Sequence, residues 1–359
     1  MKNNLLCLIL IFCHITVILP KKPLIIYLVT NKTADLNDNL FNMVDLAKTR
    51  CIWNSAWLPN MWFLTNELLK KQSTYILKTP TTKHKFELLK ELRNAKWVID
   101  GTDNCAFTLS LSHSDKWLLN KMIIFLWEPP VVTPHIWNTS LHDHVALVFT
   151  WDDNLIDQKK YFLFRWPTYS GFKLNKSVPF AERKLCCLIN ANKTSKHKDS
   201  LYQKRLEDAL FFESTHPDDF DFYGVGWPTN KYKTYHGQIP DDAKIEYQGK
   251  YKFCLCYENM QNVQGYVTEK IFNCFEAGCV PIYWGVDNIT QFIPQNCFID
   301  RRKFKNMPEL YQFLKNIDQE KYAQYLHNIR QYLDSNETYE FTIQRFAEYV
   351  TNGIMSLKI

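Results

Sequence analysis

The chain has 359 residues, of which 46% are apolar and 15% aromatic; that fills two cores and excludes a disordered or fibrous protein. Its 43 basic and 37 acidic side chains leave a net charge of only +6, too mild and too dispersed to imply nucleic acid, though compatible with an anionic small molecule. Eleven cysteines include two in an N-terminal leader, and several of the rest (Cys186, Cys187, Cys254, Cys256) fall inside apolar strands, where small buried hydrophobes are expected.

In chain order, Leu5 to Leu19 is an apolar run closed by Pro20-Lys21-Lys22. It is short for a bilayer span, so residues 1–22 read as a signal peptide or a short type II signal anchor, and either enters the secretory route, with Golgi membrane or a luminal or secreted location as the expectation. N-glycosylation triplets at Asn31, Asn138, Asn175, Asn192, Asn288 and Asn336 are compatible with a luminal protein. A first α/β block, 23–165, has predicted strands at Leu24–Val29, Trp97–Asp100, Met122–Trp127 and Val145–Phe149, with helices near Asn60–Lys71 and Lys85–Asn94. Phe164 to Pro179, with its Pro, Gly and Ser residues, reads as the linker. A second block, 180–335, opens with a strand near Lys184 and continues with a helix at Leu201–Glu213 and a strand at Phe220–Tyr223. Further helices are predicted at Pro308–Ile317 and Glu320–Leu333, and 336–359 form a C-terminal helical segment. Alternating strands and helices imply parallel sheets.

The densest information lies in Tyr251 to Gly285, YKFCLCYENMQNVQGYVTEKIFNCFEAGCVPIYWG. An apolar strand at Phe253–Tyr257 ends in the polar pair Glu258-Asn259, and a second runs from Val280 to Trp284. Between them a helix starts at Thr268, a predicted N-cap, with Glu269 in the first turn where the macrodipole favours an acid. Lys270 opposes that dipole, which points to an anion held at the helix start, most simply a phosphate. Two exposed residues on a solvated helix face are the plain alternative for Glu269 and Lys270.

This string resembles the signature of glycosyltransferase family 10, the α1,3/α1,4-fucosyltransferases: YKF, then EN, YVTEK, an apolar helix, and VPI before a Gly. The resemblance is specific over Tyr247 to Phe304, traceable back to Cys186, and thin in the N-terminal third. It implies a GT-B fold, two Rossmann-like domains facing across a cleft, and transfer of L-fucose from GDP-β-L-fucose to a GlcNAc hydroxyl of a glycan acceptor in α1,3 linkage. By the same resemblance Arg205 on the Leu201–Glu213 helix, with Lys204 as a rival, reaches the donor diphosphate together with Lys270. Asn259, Tyr266 and Glu269 match positions that contact the nucleotide sugar. Tyr223-Gly224-Val225-Gly226-Trp227 resembles the family's strand-end loop, where glycines allow close backbone approach.

Transfer from a β-linked donor to an α product is a single inverting displacement that needs a carboxylate to deprotonate the acceptor. Glu128, after the strand KMIIFLW, matches the family's proposed base. The chain departs from the family in having Pro129 for the usual Ser, and Trp151-Asp152 where many relatives carry Arg. Asp100, Asp103 and Asp152 are the alternative carboxylates. Neither Cys nor His occurs at zinc spacing, and Asp152-Asp153 and Asp241-Asp242 read as solvated turns, so no metal or other cofactor is expected. Acceptor choice is expected to lie around Trp53 to Trp62 and Thr102 to Lys116. Two other readings stay open: a catalytically idle glycan- or nucleotide-sugar-binding protein on this scaffold, and a GT-B enzyme with another sugar donor.

Overall fold

The computed structural model describes residues 24–30, 37–38, 57–73, 75–102, 105–168, 178–240 and 243–357. The leader, Asp103, Asp241-Asp242, the triplets at Asn31 and Asn175 and residues 53–56 lie outside them. Among the described residues the strands form two sheets whose neighbouring strands all pair in parallel. The first has the order β2-β1-β3-β4-β5-β6, with β1 Leu24–Val29, β2 Tyr75–Lys78, β3 Trp97–Asp100, β4 Met122–Leu126, β5 Leu147–Thr150 and β6 Tyr161–Leu163. The second has the order β11-β10-β9-β7-β8, with β7 Lys184–Ile189, β8 Phe220–Tyr223, β9 Tyr251–Tyr257, β10 Val280–Trp284 and β11 Ile299–Asp300.

Each central strand is a short run of apolar residues because helices cover both its faces. All five residues of β4 are buried, and so are all but Tyr251's neighbour Lys252 in β9. The result is two Rossmann-like domains facing across a cleft. In the second sheet the strand order reverses between β7 and β9, which is where an open α/β sheet holds its ligand, beyond the carboxyl ends of the strands.

The two domains share aromatic packing rather than a bare linker. Phe164 and Trp166, at the start of the predicted linker, are buried in the first core, with Phe164 4.6 Å from Trp127. The last helix, Ile343–Ser356, follows the second domain in sequence yet lies on the first sheet. Its Phe346 sits 5.6 Å from Trp127, 5.8 Å from Trp62 and 5.9 Å from Phe125. All eight described cysteines are buried free thiols. No helix among the described residues is long and apolar enough to cross a membrane.

Candidate active site

Between the sheets lies a cavity of about 410 Å³, and the six residues singled out from the sequence, Glu128, Arg205, Asn259, Tyr266, Glu269 and Lys270, all line it. Five different local structures bring them there. Glu128 stands two residues beyond β4, in a bend whose Glu128 carbonyl accepts hydrogen bonds from Trp137 Nε1 at 2.8 Å and Thr133 Oγ1 at 3.2 Å. Arg205 lies on the helix Tyr202–Thr215, Asn259 stands two residues beyond β9, Tyr266 lies on the loop that leads into the helix Glu269–Glu276, and Glu269 and Lys270 open that helix. Thr268 caps that helix, its side chain accepting from the Lys270 N–H.

The structure separates Arg205 from its rival. Lys204 is solvent-exposed and pairs with Glu207 at 2.6 Å, as an ordinary helix-surface cation does. Arg205 is 4% exposed, donates from Nη2 to Tyr257 O at 2.7 Å and to Asn259 Oδ1 at 3.0 Å, and leaves its Nε without a partner. Burial draws its pKa down from the usual guanidinium value, but a guanidinium remains charged throughout the working range.

Lys270 has a different explanation from the one its place on the dipole suggested. Its Nζ lies 3.0 Å from Glu258 Oε2 and 2.9 Å from Thr268 Oγ1, with Glu269 Oε1 at 3.8 Å. Burial opposes its charge, yet Glu258, then Glu269, with a contribution from Glu128, outweigh burial and hold it above the ordinary lysine value. The anion that offsets the macrodipole is therefore supplied by the chain itself. Glu258, fully enclosed, also accepts from the Thr268 N–H at 2.9 Å and the Thr268 hydroxyl at 2.8 Å, so it fixes the helix start from below. Sequence reasoning saw Glu258 only as the polar end of a strand.

Glu128 is held above the usual carboxylate range chiefly by burial and further by Glu269, against the pull of Lys270, Lys193 and the Tyr266 hydrogen bond. Among the alternative carboxylates, Asp100 accepts from the Thr108 N–H at 2.7 Å, the Thr108 hydroxyl at 2.6 Å and the Thr102 N–H at 3.0 Å, a buried loop clasp outside the cavity. Asp152-Asp153 is not the solvated turn expected. Asp153 pairs with the buried Arg165 at 2.6 Å and accepts from Asn288 Nδ2 at 3.3 Å, which ties the loop after β5 to the loop after β10. Asn288 also accepts from the Gly265 N–H at 3.1 Å, so this triplet's side chain is part of the interdomain contact.

Sequence reasoning also missed Lys193, Lys244, Gln248 and Asn273, which line the same cavity. Lys193 follows β7, one of the two strands at the topological reversal, and that rule was the signal that could have found it. With these, four cations (Lys193, Arg205, Lys244, Lys270) face two acids (Glu128, Glu269) around the cavity. Such a lining suits a multiply charged anion with hydroxyl groups nearby.

Residues 180–351 match the family described as glycosyltransferase family 10 (fucosyltransferase) C-term. That match spans just under half of the chain, its second domain, which is similar to glycosyltransferase family 10. Relatives include the alpha-(1,4)-fucosyltransferase of Arabidopsis thaliana, 43% identical over 77 residues covering 21% of this chain and 19% of the relative. The alpha-(1,3)-fucosyltransferase FucT of Helicobacter pylori is 38% identical over 80 residues, 22% of this chain and 16% of the relative. The 4-galactosyl-N-acetylglucosaminide 3-alpha-L-fucosyltransferase 9 of Bos taurus is 27% identical over 155 residues, 41% of this chain and 38% of the relative. The chain thus matches less than two fifths of the length of each of these relatives. In fold, the chain is similar to a crystal structure of an alpha1,3-fucosyltransferase, with a TM-score of 0.51 and 14% identity over 94% of this chain and 92% of that one. It is equally similar, at a TM-score of 0.51 and 11% identity, to the DNA-modifying enzyme beta-glucosyltransferase, over 92% of this chain and 100% of that one. The common element is the GT-B fold.

Proposed function

We propose that this chain transfers L-fucose from GDP-β-L-fucose, with inversion, to a GlcNAc hydroxyl of a glycan in α1,3 linkage. The observation that carries the reading is the cavity in which Glu128 from the first domain faces the buried Arg205 and the half-buried Lys270 from the second. In the reaction, the acceptor oxygen forms a bond to the anomeric carbon as the bond from that carbon to the phosphate oxygen breaks. The hydroxyl proton passes to Glu128, and the electron pair leaves with GDP. Arg205 and Lys270 meet the charge that grows on the departing diphosphate, so the leaving group needs no proton. Glu269, at the helix start beside Lys270, accepts hydrogen bonds from sugar hydroxyls. The elevated pKa of Glu128 suits a base that must take a proton and then lose it. The leader and the exposed triplets at Asn138, Asn192 and Asn336 support a place in the secretory route.

The test is GDP release from GDP-fucose and from GDP-mannose, each with and without N-acetyllactosamine. Acceptor-stimulated release from GDP-fucose alone is the expected result. Binding of GDP-fucose with no turnover on any glycan acceptor would make the chain an idle binder, and preference for GDP-mannose would make it an enzyme of another donor.

A further inference from the structure

Glu128 is anchored from both sides of the cleft. Its backbone carbonyl is held by Thr133 and Trp137 of its own domain. Its carboxylate is held by the other domain: Asn259 Nδ2 and the Tyr266 hydroxyl each donate to Oε2 at 3.2 Å. Both bonds fall on one oxygen, and the described residues give Oε1 none.

The chemistry fixes the direction of each bond. Asn259 Oδ1 faces the Arg205 guanidinium, which can only donate, so the amide has one orientation and presents Nδ2 to the Glu128 carboxyl group. Tyr266 is 1% exposed, and burial, then Glu128, Glu258 and Glu269, hold its pKa well above the ordinary phenol value; it stays a donor at any working pH. Its ring is seated against the first domain, 4.6 Å from Trp151 and 6.3 Å from Trp166. Gly265, immediately before it, has φ +83°, and a Cβ there would lie 2.2 Å from Trp151 O. The segment carrying Tyr266 therefore touches the first domain closely at the point where it reaches Glu128.

From this juxtaposition, and resting on the reading of Glu128 as base, we infer that Asn259 and Tyr266 are positioning residues for the base: the second domain turns the Glu128 carboxylate so that Oε1 is presented to the acceptor hydroxyl. The Asn259 amide then bridges the base and the cation at the donor diphosphate, so the two halves of the reaction share one hydrogen-bonded chain, Arg205 to Asn259 to Glu128. The geometry gives these two residues a task separate from holding the donor. The charged and titratable groups around Glu128 are Lys270 and Glu269 on the signature helix, Lys193 after β7, Tyr202 on the helix that carries Arg205, and Tyr266 itself. Of these, the Tyr266 hydroxyl is the one that both donates to Glu128 and can be removed without altering a charge at neutral pH.

The experiment is Tyr266→Phe in the full chain, with Asn259→Leu as the second variant, read in two ways. In the first, the carboxyl carbon of Glu128 in ¹³C-glutamate-labelled protein, identified by its loss in Glu128→Gln, is titrated without substrate. Tyr266→Phe should raise its pKa, because a hydrogen bond to the ionised form is lost. In the second, kcat for transfer should fall roughly tenfold or more, and the acidic limb of the pH profile should move up, while the Kd for GDP stays within about twofold. An unmoved Glu128 titration in both variants overturns the inference whether or not the chain is a fucosyltransferase. A Kd for GDP weakened tenfold with kcat and the acidic limb unmoved also overturns it, since the residues would then serve the donor alone. A shifted titration in a chain that transfers no fucose would support the positioning and sink the functional reading instead.

Discussion

Lys270 and Glu258 form an ion pair with one member at the cavity wall, 19% exposed, and the other fully enclosed, so neither can be changed alone without leaving a buried charge uncompensated. Lys270→Ala should lower catalytic efficiency roughly 30- to 1000-fold and also cost about 3 kcal/mol of stability in denaturant unfolding. Lys270→Met combined with Glu258→Gln should recover most of the stability and none of the transfer. If the double variant regained transfer, Lys270 would have no part at the diphosphate. Glu128→Gln keeps shape and hydrogen bonds but takes no proton, so transfer should drop by roughly a hundredfold or more with GDP affinity nearly constant. Since only ionised Glu128 is a base and burial raises its pKa, the parent's rate should fall as pH drops through a limb lying above the ordinary glutamate value. A pH profile flat down to the ordinary carboxylate range would count against that assignment. Of the six residues that line the cavity, five were legible because YVTEK, EN and a strand-end Glu are local patterns, and Arg205 was read from its helix run; the Glu258–Lys270 pair joins residues on two elements, and no pattern states that a carboxylate is enclosed.

At the scale of elements, β1, β3, β8 and β10 have the limits expected from their apolar runs. The strands missed were β2, β6 and β11, edge strands each paired with one neighbour; β6 and β11, with three and two residues, are also too short for a period-2 pattern. The helix cap at Thr268 was readable because capping is local chemistry. The loop from Gly265 was not, because its conformation answers to Trp151 and Arg165, a hundred or more residues earlier. There, Gly265→Ala sets a side chain in the left-handed region, 2.2 Å from Trp151 O and 2.3 Å from Arg165 Nη1. It should destabilise by more than about 1 kcal/mol and slow transfer by displacing Tyr266. Thermal unfolding and kcat at saturating donor check both; an unchanged melting temperature would mean the loop is not pressed on the first domain.

Over the whole molecule, the two-domain architecture followed from alternating strands and helices, while the destination of Ile343–Ser356 did not, since an amphipathic helix advertises an apolar face without naming the sheet it will cover. Phe346 completes an aromatic cluster with Trp62, Phe125, Trp127 and Phe164. Phe346→Ala should therefore cost about 3–5 kcal/mol, and the loss should appear as exposure of first-domain tryptophans in fluorescence, with the second domain unfolding separately or later. A further consequence concerns synthesis on the ribosome. The first sheet's last strand ends at Leu163 and the helix that closes its core begins at Ile343, about 180 residues afterwards. At roughly 5–20 residues per second, the nascent first domain waits on the order of 10 to 40 s with that aromatic surface open. Domain-by-domain maturation is thus denied to the first domain: the half made first is finished last, and its exposed rings are a standing invitation to chaperones until the final helix emerges.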